Sequence, residues 1–545
     1  MKNKKTIFSA ILFFALFGLA HSSQAATLYV SANGSGTACS SGTPCALAYA
    51  IGTKCLAGDT IILNSGTYTD TSVNLTNASK HANLTITATP EVISALGSFI
   101  RGIPSGTDNR PYFSGKANSP GMTECHSELF DVTVPGVRLS YLRARGNAYP
   151  CDWPGAILTI DGRPFTIDHS ELWNGGELIL DSVSQGVTIS DNHLHDTSHW
   201  APFPFVYNGD KKIYGTPDVH AISIGSYESG QAATSFSEGT KILRNTIHDA
   251  GGNGIQENTR CYISQSNSGD YLTIDGNEFY NVMKQPWDSK GTNHVIYSNN
   301  ISWWGDHTGN ADVDYGHITA NQPNDCPSVT MDDWQIFNNI AHGSINSFFS
   351  WNSQGSSPCS NIRLYNNVIY DNNKAAWYPG AVVKLCGDAG STFYNNVVVN
   401  NLGNPTNTGG VETCGSGNNV KNNIFWNNGT KGNVTNDNWM CTNSGTPDHN
   451  YFNGTVGRTT GTNAITNCFT SGNCPGFVNL AINDFRLLSN SPAKDAGATL
   501  ASPYNVDSVG VSRPQGSAFD IGAYEYSSGV NDTTPPAAPT GLSVQ

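Results

Sequence analysis

The chain has 545 residues, 38% hydrophobic and 13% charged, with 57 glycines, 11 Trp, 22 Tyr and 22 Phe; that supply of aromatic residues excludes a disordered protein. The formal net charge of −14 excludes nucleic-acid binding through bulk charge, and a polyanionic ligand would need local cations or a bound metal ion. The length exceeds one small compact core but suits a repeat solenoid, which grows along one axis without a larger core.

Residues 1–25 read as a signal peptide. Lys2, Lys4 and Lys5 give the basic start, Ile7 to Ala20 the apolar stretch, and Ser23-Gln24-Ala25 a small-x-small cleavage site. The apolar stretch falls short of the roughly 20 residues that a membrane span needs. No later stretch is long and apolar enough to cross a bilayer, so a soluble, exported chain without a membrane span is expected. Cleavage removes three lysines and no acids, taking the charge from −14 to −17 (−14 − 3).

All 13 cysteines lie beyond that segment, and in an exported protein disulfides are the default expectation. The candidate pairs are Cys39 with Cys45 or Cys55, Cys125 with Cys151, Cys359 with Cys386, Cys414 with Cys441, and Cys468 with Cys474. An odd count leaves one thiol free. No CxxC pair occurs, so these cysteines are not expected to hold a metal.

A first strand is predicted at Leu28-Tyr29-Val30, followed by a short amphipathic helix over Ala46 to Cys55. Such a helix would plug the open end of a coil stack, which otherwise exposes apolar core and strand edge. Gly58-Asp59-Thr60-Ile61-Ile62-Leu63 and Gly66-Thr67-Tyr68 then read as the first coil. Short β-type runs that end in Asn-rich turns follow, among them Val187 to Asn192, Thr240 to Asn245, Leu272 to Asn277, Val295 to Asn300, Trp334 to Asn339, Ile362 to Asn367, Thr392 to Asn396 and Val420 to Asn423. A second β run follows most of these turns. Alternation marks half-buried strands. Asn tolerates left-handed backbone angles, and stacked Asn side chains can hydrogen-bond from coil to coil. A propeller would need a period of roughly 40 with four strands per blade, and a sandwich would need no such register. The prediction is an all-β, right-handed parallel β-helix over 26–527, with a short N-terminal capping helix and a linker or tail over 528–545.

Gly58-Asp59-Thr60 with Gly66-Thr67-Tyr68, the Asn-ended coils and the closing run from Ser491 to Glu525 resemble the bacterial pectate-lyase-like β-helix superfamily. The resemblance covers nearly the whole mature chain and is specific for fold. Its members include lyases, hydrolases, epimerases and adhesins. Asp532 to Pro539 resembles the linker that opens a fibronectin type III module.

Aligning the segments after the Asn turns stacks Ile222, Ile255 and Trp287 inward and Ser223, Gln256 and Asp288 outward. Asn258 and Lys290 face outward as well. Arg260 follows, and Asp312 and Asp314 come from the next coil. Glu257 faces inward, which is costly for an acid without a partner. This polar strip fits elimination on a uronate polymer, in which a cation neutralises the carboxylate and a base takes the C5 proton. The resemblance implies a Lys base beside an Asp-rich Ca²⁺ site. Lys290 after Asp288 is the best match, with Asp288, Asp312 and Asp314 as possible Ca²⁺ ligands and Arg260 and His220 as further catalytic candidates. Gln256, Asn258, Trp303 and Trp304 are candidate substrate contacts. Trp200, Phe203, Phe205, Tyr207 and Tyr315 either stack on sugar rings or pack the loops. The expected function is a secreted, monomeric polysaccharide lyase acting on an acidic polysaccharide of the pectate or alginate type. The alternatives are a glycoside hydrolase of the same fold and a non-catalytic carbohydrate-binding or adhesion protein.

Overall fold

A computed structural model describes residues 25–528 except 70–71, 116–128, 147–155, 182–185, 198–219, 225–238, 258–270, 283, 304–315, 323–330, 345, 354–358, 373–381, 386–389, 402–410, 414–416, 429–438, 441–446 and 454–460. The chain winds as a right-handed β-helix of three parallel sheets with 14, 13 and 12 strands, here called A, B and C. Each coil runs through one strand of each. Val187–Ser190, His193–His195 and Ile222–Ile224 make one coil, and Lys241–Leu243, Thr246–Ala250 and Ile255–Glu257 make the next.

Strict parallel register stacks like on like. In sheet A, Ile167, Ile189, Ile242 and Ile274 are successive partners, and all are buried. In sheet B the central residues Leu172, Leu194, Ile247 and Phe279 point inward in the same way. Each fully buried apolar side chain contributes about 1.5–3 kcal/mol, and the alternation within each strand decides which residues supply it.

The turn from A to B is the most regular part of the coil. Its first residue is left-handed, as at Asp191, Arg244, Gly276, Asn299 and Asn338, with φ between 51° and 68°. Its second is a buried Asn. Asn192, Asn245, Asn277, Asn300, Asn339, Asn367, Asn396, Asn423 and Asn450 form a ladder, in which each side-chain oxygen accepts the backbone N–H of the Asn one coil before it. The two jobs that the sequence assigns jointly to Asn are thus divided between neighbours. Apart from the long A-to-B connection over 89–111, the connections from B to C and from C to A are the variable ones. The long segments 196–221, 225–240, 258–272 and 304–317 all adjoin sheet C.

At the N-terminal end, a helical turn at Leu47–Tyr49 continues into a π-helical turn at Ala50–Lys54. Leu47, Ala50 and Ile51 pack into the same core as Val30 and Leu63. Disulfides join Cys39 to Cys45 and Cys468 to Cys474, while Cys55 is a buried free thiol. The other expected pairs involve residues outside those described. Beyond the last coils, the closing segment lays Phe477, Phe485, Leu487 and Ile521 over the outward face of sheet B at Val368, Tyr370, Val397, Val399, Ile424 and Trp426. Strands buried on both faces must be apolar throughout, and Val397–Val399 and Ile424–Trp426 are. An antiparallel pair, Phe99–Ile100 with Ile103–Pro104, reaches the A–B corner, where Arg101 binds Glu278 at 2.9 Å. Among the described residues, no helix is long and apolar enough to cross a membrane.

Candidate functional site

Register places Ser223, Gln256, Asp288, Thr319, Ser350 and Lys384 in one vertical row of sheet C. Ile222, Ile255 and Trp287 are the inward partners and are fully buried. The outward row is also covered, since Ser223, Gln256, Asp288 and Thr319 are all at most 6% exposed. Lys290 leaves the end of the strand Trp287–Ser289 and returns its ammonium to Asp288, with Nζ 2.7 Å from Oδ2. It is the more open of the two, with 22% of its side chain exposed against 5% for Asp288.

Gln256 is already engaged. Its amide nitrogen donates to the Glu257 carbonyl at 2.9 Å, and its oxygen accepts from Asn253. His220 sits at the corner that opens a C strand, where Nδ1 accepts the Asn253 N–H at 2.9 Å. Glu257 faces the core and is paired there, accepting from the Ser289 hydroxyl at 2.7 Å and from Thr292. Trp303 lies outward on sheet B rather than in the sheet C row, stacked between Tyr280 and His342. Asn258, Arg260, Trp304, Asp312 and Asp314 lie outside the described residues, as do Trp200, Phe203, Phe205, Tyr207 and Tyr315.

The described part of the row does not make up a Ca²⁺ donor set. Ca²⁺ takes about 6–8 oxygen ligands, several of them carboxylate. Asp288 brings one carboxylate, with a lysine ammonium already upon it, and Glu257 is turned into the core.

A second constellation, outside the sequence-level expectations, occupies the outward face of sheet B. Glu171 and His193 are register partners, as are His195 and His248. Ligand atoms of the three histidines lie within 4.8 Å of one another. His193 Nε2 is 2.7 Å from His248 Nε2. Glu171 Oε1 is 3.3 Å from His195 Nε2 and 3.6 Å from His193 Nδ1. His195 and His248 each direct Nδ1 to the carboxylate of the next residue, Asp196 at 2.8 Å and Asp249 at 2.6 Å. Burial and the neighbouring histidines push His193 down to about 4. In His195 burial also opposes the charge, but Asp196 and Glu171 outweigh it and raise the ring above the usual histidine range. Burial acts to raise the Glu171 carboxyl, yet His193, His195 and Arg143 hold it far below the usual range. The rings of Trp173, His195, His248, Tyr280, Trp303, His342 and Tyr370 form one continuous stack up the face. The sequence signal was the pair of His-Asp steps, at 195–196 and 248–249, the first at the end of a B strand and the second near the end of one.

No protein-family model matches the chain, and no curated protein matches it. Among solved structures the chain is similar to a pectate lyase, Pel9A, at 14% identity and a TM-score of 0.42, over 93% of this chain and 97% of that one. A PL6-family alginate lyase, AlyGC, matches at 14% identity and a TM-score of 0.45, over 81% of this chain and 53% of that one. A surface adhesin of Streptococcus pneumoniae, PfbA, matches at 12% identity and a TM-score of 0.43, over 72% and 86%.

Proposed function

We propose that the protein is an exported polysaccharide lyase that cleaves a uronic-acid polymer, of the pectate or alginate type, by β-elimination over sheet C. The observation that carries this reading is Lys290, held by the buried Asp288 carboxylate at 2.7 Å. It stands on sheet C, which long connections adjoin on both sides, and a groove between such connections would suit a linear polymer.

In this mechanism Lys290 is the base that takes the proton from C5. The electron pair left behind forms the C4=C5 double bond, and the C4–O bond breaks with its electrons leaving on the departing sugar's oxygen, which takes a proton from water. Asp288 aims the amine and steadies its charge once the proton has arrived. Arg260 is the proposed partner for the substrate carboxylate, whose neutralisation makes C5 acidic. Asn258 and Trp304 are proposed substrate contacts, Trp303 being placed on sheet B instead, and Gln256 shapes the floor through its bonds to Asn253 and Glu257. No step is routed through Ca²⁺. A hydrolase would need two neighbouring carboxylates, whereas the described strip near Lys290 offers Asp288 alone.

The test is the ultraviolet absorbance of the conjugated double bond on pectate, alginate and glycosaminoglycan panels, with and without added Ca²⁺. Wild type should give a rise, and Lys290→Ala should lower kcat by about 10²–10⁴-fold, the usual worth of a general base. A rise that survives in the variant removes Lys290 from the mechanism. No rise from folded wild type on any polymer overturns the lyase reading in favour of a hydrolase or a binding protein, and a reducing-sugar assay separates those two.

A further inference from the structure

The face of sheet B carries a site independent of that reading. Three imidazoles converge there, with ligand atoms within 4.8 Å of one another. His195 and His248 each place Nδ1 against a carboxylate, at 2.8 Å and 2.6 Å, and a carboxylate only accepts, so each Nδ1 carries a proton. That turns both Nε2 atoms into the cluster, where His195 Nε2 lies 3.3 Å from Glu171 Oε1 and His248 Nε2 lies 2.7 Å from His193 Nε2. A cation bound among these nitrogens displaces the protons shared there.

The supporting residues have the arrangement that metal-binding histidines need. A carboxylate on the distal nitrogen fixes tautomer and ring orientation and raises the basicity of the ligating nitrogen. Asp196 and Asp249 reach back to do this because both are left-handed, at φ 52° and 51°, where a non-glycine residue is uncommon. Asp249 is itself held by the Asn281 amide at 3.2 Å. The ligands stand on paired strands rather than on loops, so their spacing is set by the ladder. The rings are only partly covered, with 12–17% of each side chain exposed, so an ion has a path in.

We infer that His193, His195 and His248 form a binding site for a divalent transition metal of the Zn²⁺ class on the outward face of sheet B. Three imidazoles suit Zn²⁺, Co²⁺, Ni²⁺ or Cu²⁺, and they do not suit the all-oxygen preference of Ca²⁺ or Mg²⁺.

The experiment uses the full mature chain, stripped with chelator and titrated with ZnCl₂ by calorimetry, with the visible spectrum recorded on adding CoCl₂. The expected result is one metal per chain at this site, d–d bands from nitrogen-ligated Co²⁺, and no competition from a large excess of CaCl₂. His248→Ala should abolish the bands. Asp249→Asn removes no ligand and should weaken Zn²⁺ binding about 10–100-fold, with circular dichroism confirming the fold. Absence of stoichiometric uptake by wild type overturns the inference. So does Zn²⁺ uptake that is unchanged in folded His248→Ala, since the metal would then sit elsewhere.

Discussion

The Asn ladder makes neighbouring residues of one type into an internal control, and the pair Asn338 and Asn339 tests it. The Asn339 oxygen accepts the Asn300 N–H at 2.9 Å and the Asn300 amide at 3.2 Å. Its own amide donates to the Tyr297 carbonyl at 3.0 Å and to Asn367 at 2.9 Å. Asn339→Ala removes four hydrogen bonds in a fully buried turn. Asn300 keeps an acceptor for its side-chain amide at the Ile274 carbonyl, so the chief orphan is its backbone N–H. A buried orphan costs about 1–3 kcal/mol and each lost bond contributes about 1 kcal/mol, so a loss of roughly 3–5 kcal/mol is expected. Asn338 instead holds φ at 56°, and its one side-chain bond, to Asn299 at 3.3 Å, is exposed. Asn338→Ala should cost only about 1–2 kcal/mol, from the left-handed conformation, and Asn338→Gly should be close to neutral. Urea midpoints report the overall loss. Because a long solenoid can unfold in segments, amide exchange at Asn300 supplies the local reading, and it should quicken in Asn339→Ala alone. Equal midpoints for the two alanine variants, with Asn300 protection unchanged in both, would refute the ladder as a source of stability.

Two further predictions concern buried contacts. His317 donates through Nε2 to Asn372 at 2.9 Å and accepts at Nδ1 from the Ser302 hydroxyl at 2.8 Å, and burial pushes it down to about 3 from an ordinary 6.5. With the folded pKa depressed, the unfolded chain takes up the proton first as pH falls. His317 therefore stabilises fully above about pH 6.5, and that contribution drains away between there and about pH 3. Between pH 7 and pH 5 the gap between wild type and His317→Gln should narrow by about 2 kcal/mol; parallel pH profiles of the two urea midpoints would rule this out. At Gly102, where φ is 86°, a Cβ would lie 2.1 Å from the Asn192 carbonyl carbon. Gly102→Ala should lift the 99–104 strand pair off the A–B corner and break Arg101 from Glu278, which limited proteolysis between residues 97 and 106 would detect as faster cutting; unaltered cutting would show that the corner can yield.

Much of this was legible in the sequence, for a physical reason. Period-2 alternation between fixed turns leaves little freedom in register, so Ile222, Ile255 and Trp287 could be stacked by alignment alone. The cost of burying an acid left Glu257 either paired or marking a shift of register, and it is paired, with Ser289 and Thr292. The division of labour within the turn was also written there, since the first turn position varies through Asp191, Arg244, Gly276 and Asn299 while the second stays Asn. What covers a strand row was not written. Gln256 and Asp288 alternate like surface residues yet are buried, and alternation within a strand cannot say whether its outer face is covered. The Glu171 and histidine cluster escaped for a related reason: Glu171, His193 and His248 belong to three coils and meet only through the register.

The strands of sheet B nonetheless hold the clue to that cluster. Their central residues are inward and, apart from Ser302, apolar, whereas the outward residues change along the axis. Glu171, Trp173, His193, His195, His248, Glu278 and Tyr280 give way to Val368, Tyr370, Val397, Val399, Ile424 and Trp426. The apolar end is where the closing segment docks. Had the polar end been meant for the same cover, Glu171 and three histidines would be a costly choice, since buried charge must be paired. Each coil contacts chiefly its neighbours, so one stretch of a face can change without disturbing the rest. A solenoid can thus seal one end of sheet B with its closing segment and leave the other end polar and partly open. If the two proposed sites are both real, that freedom lets them stand on different faces, and chelator should then leave the Lys290–Asp288 pair on sheet C undisturbed.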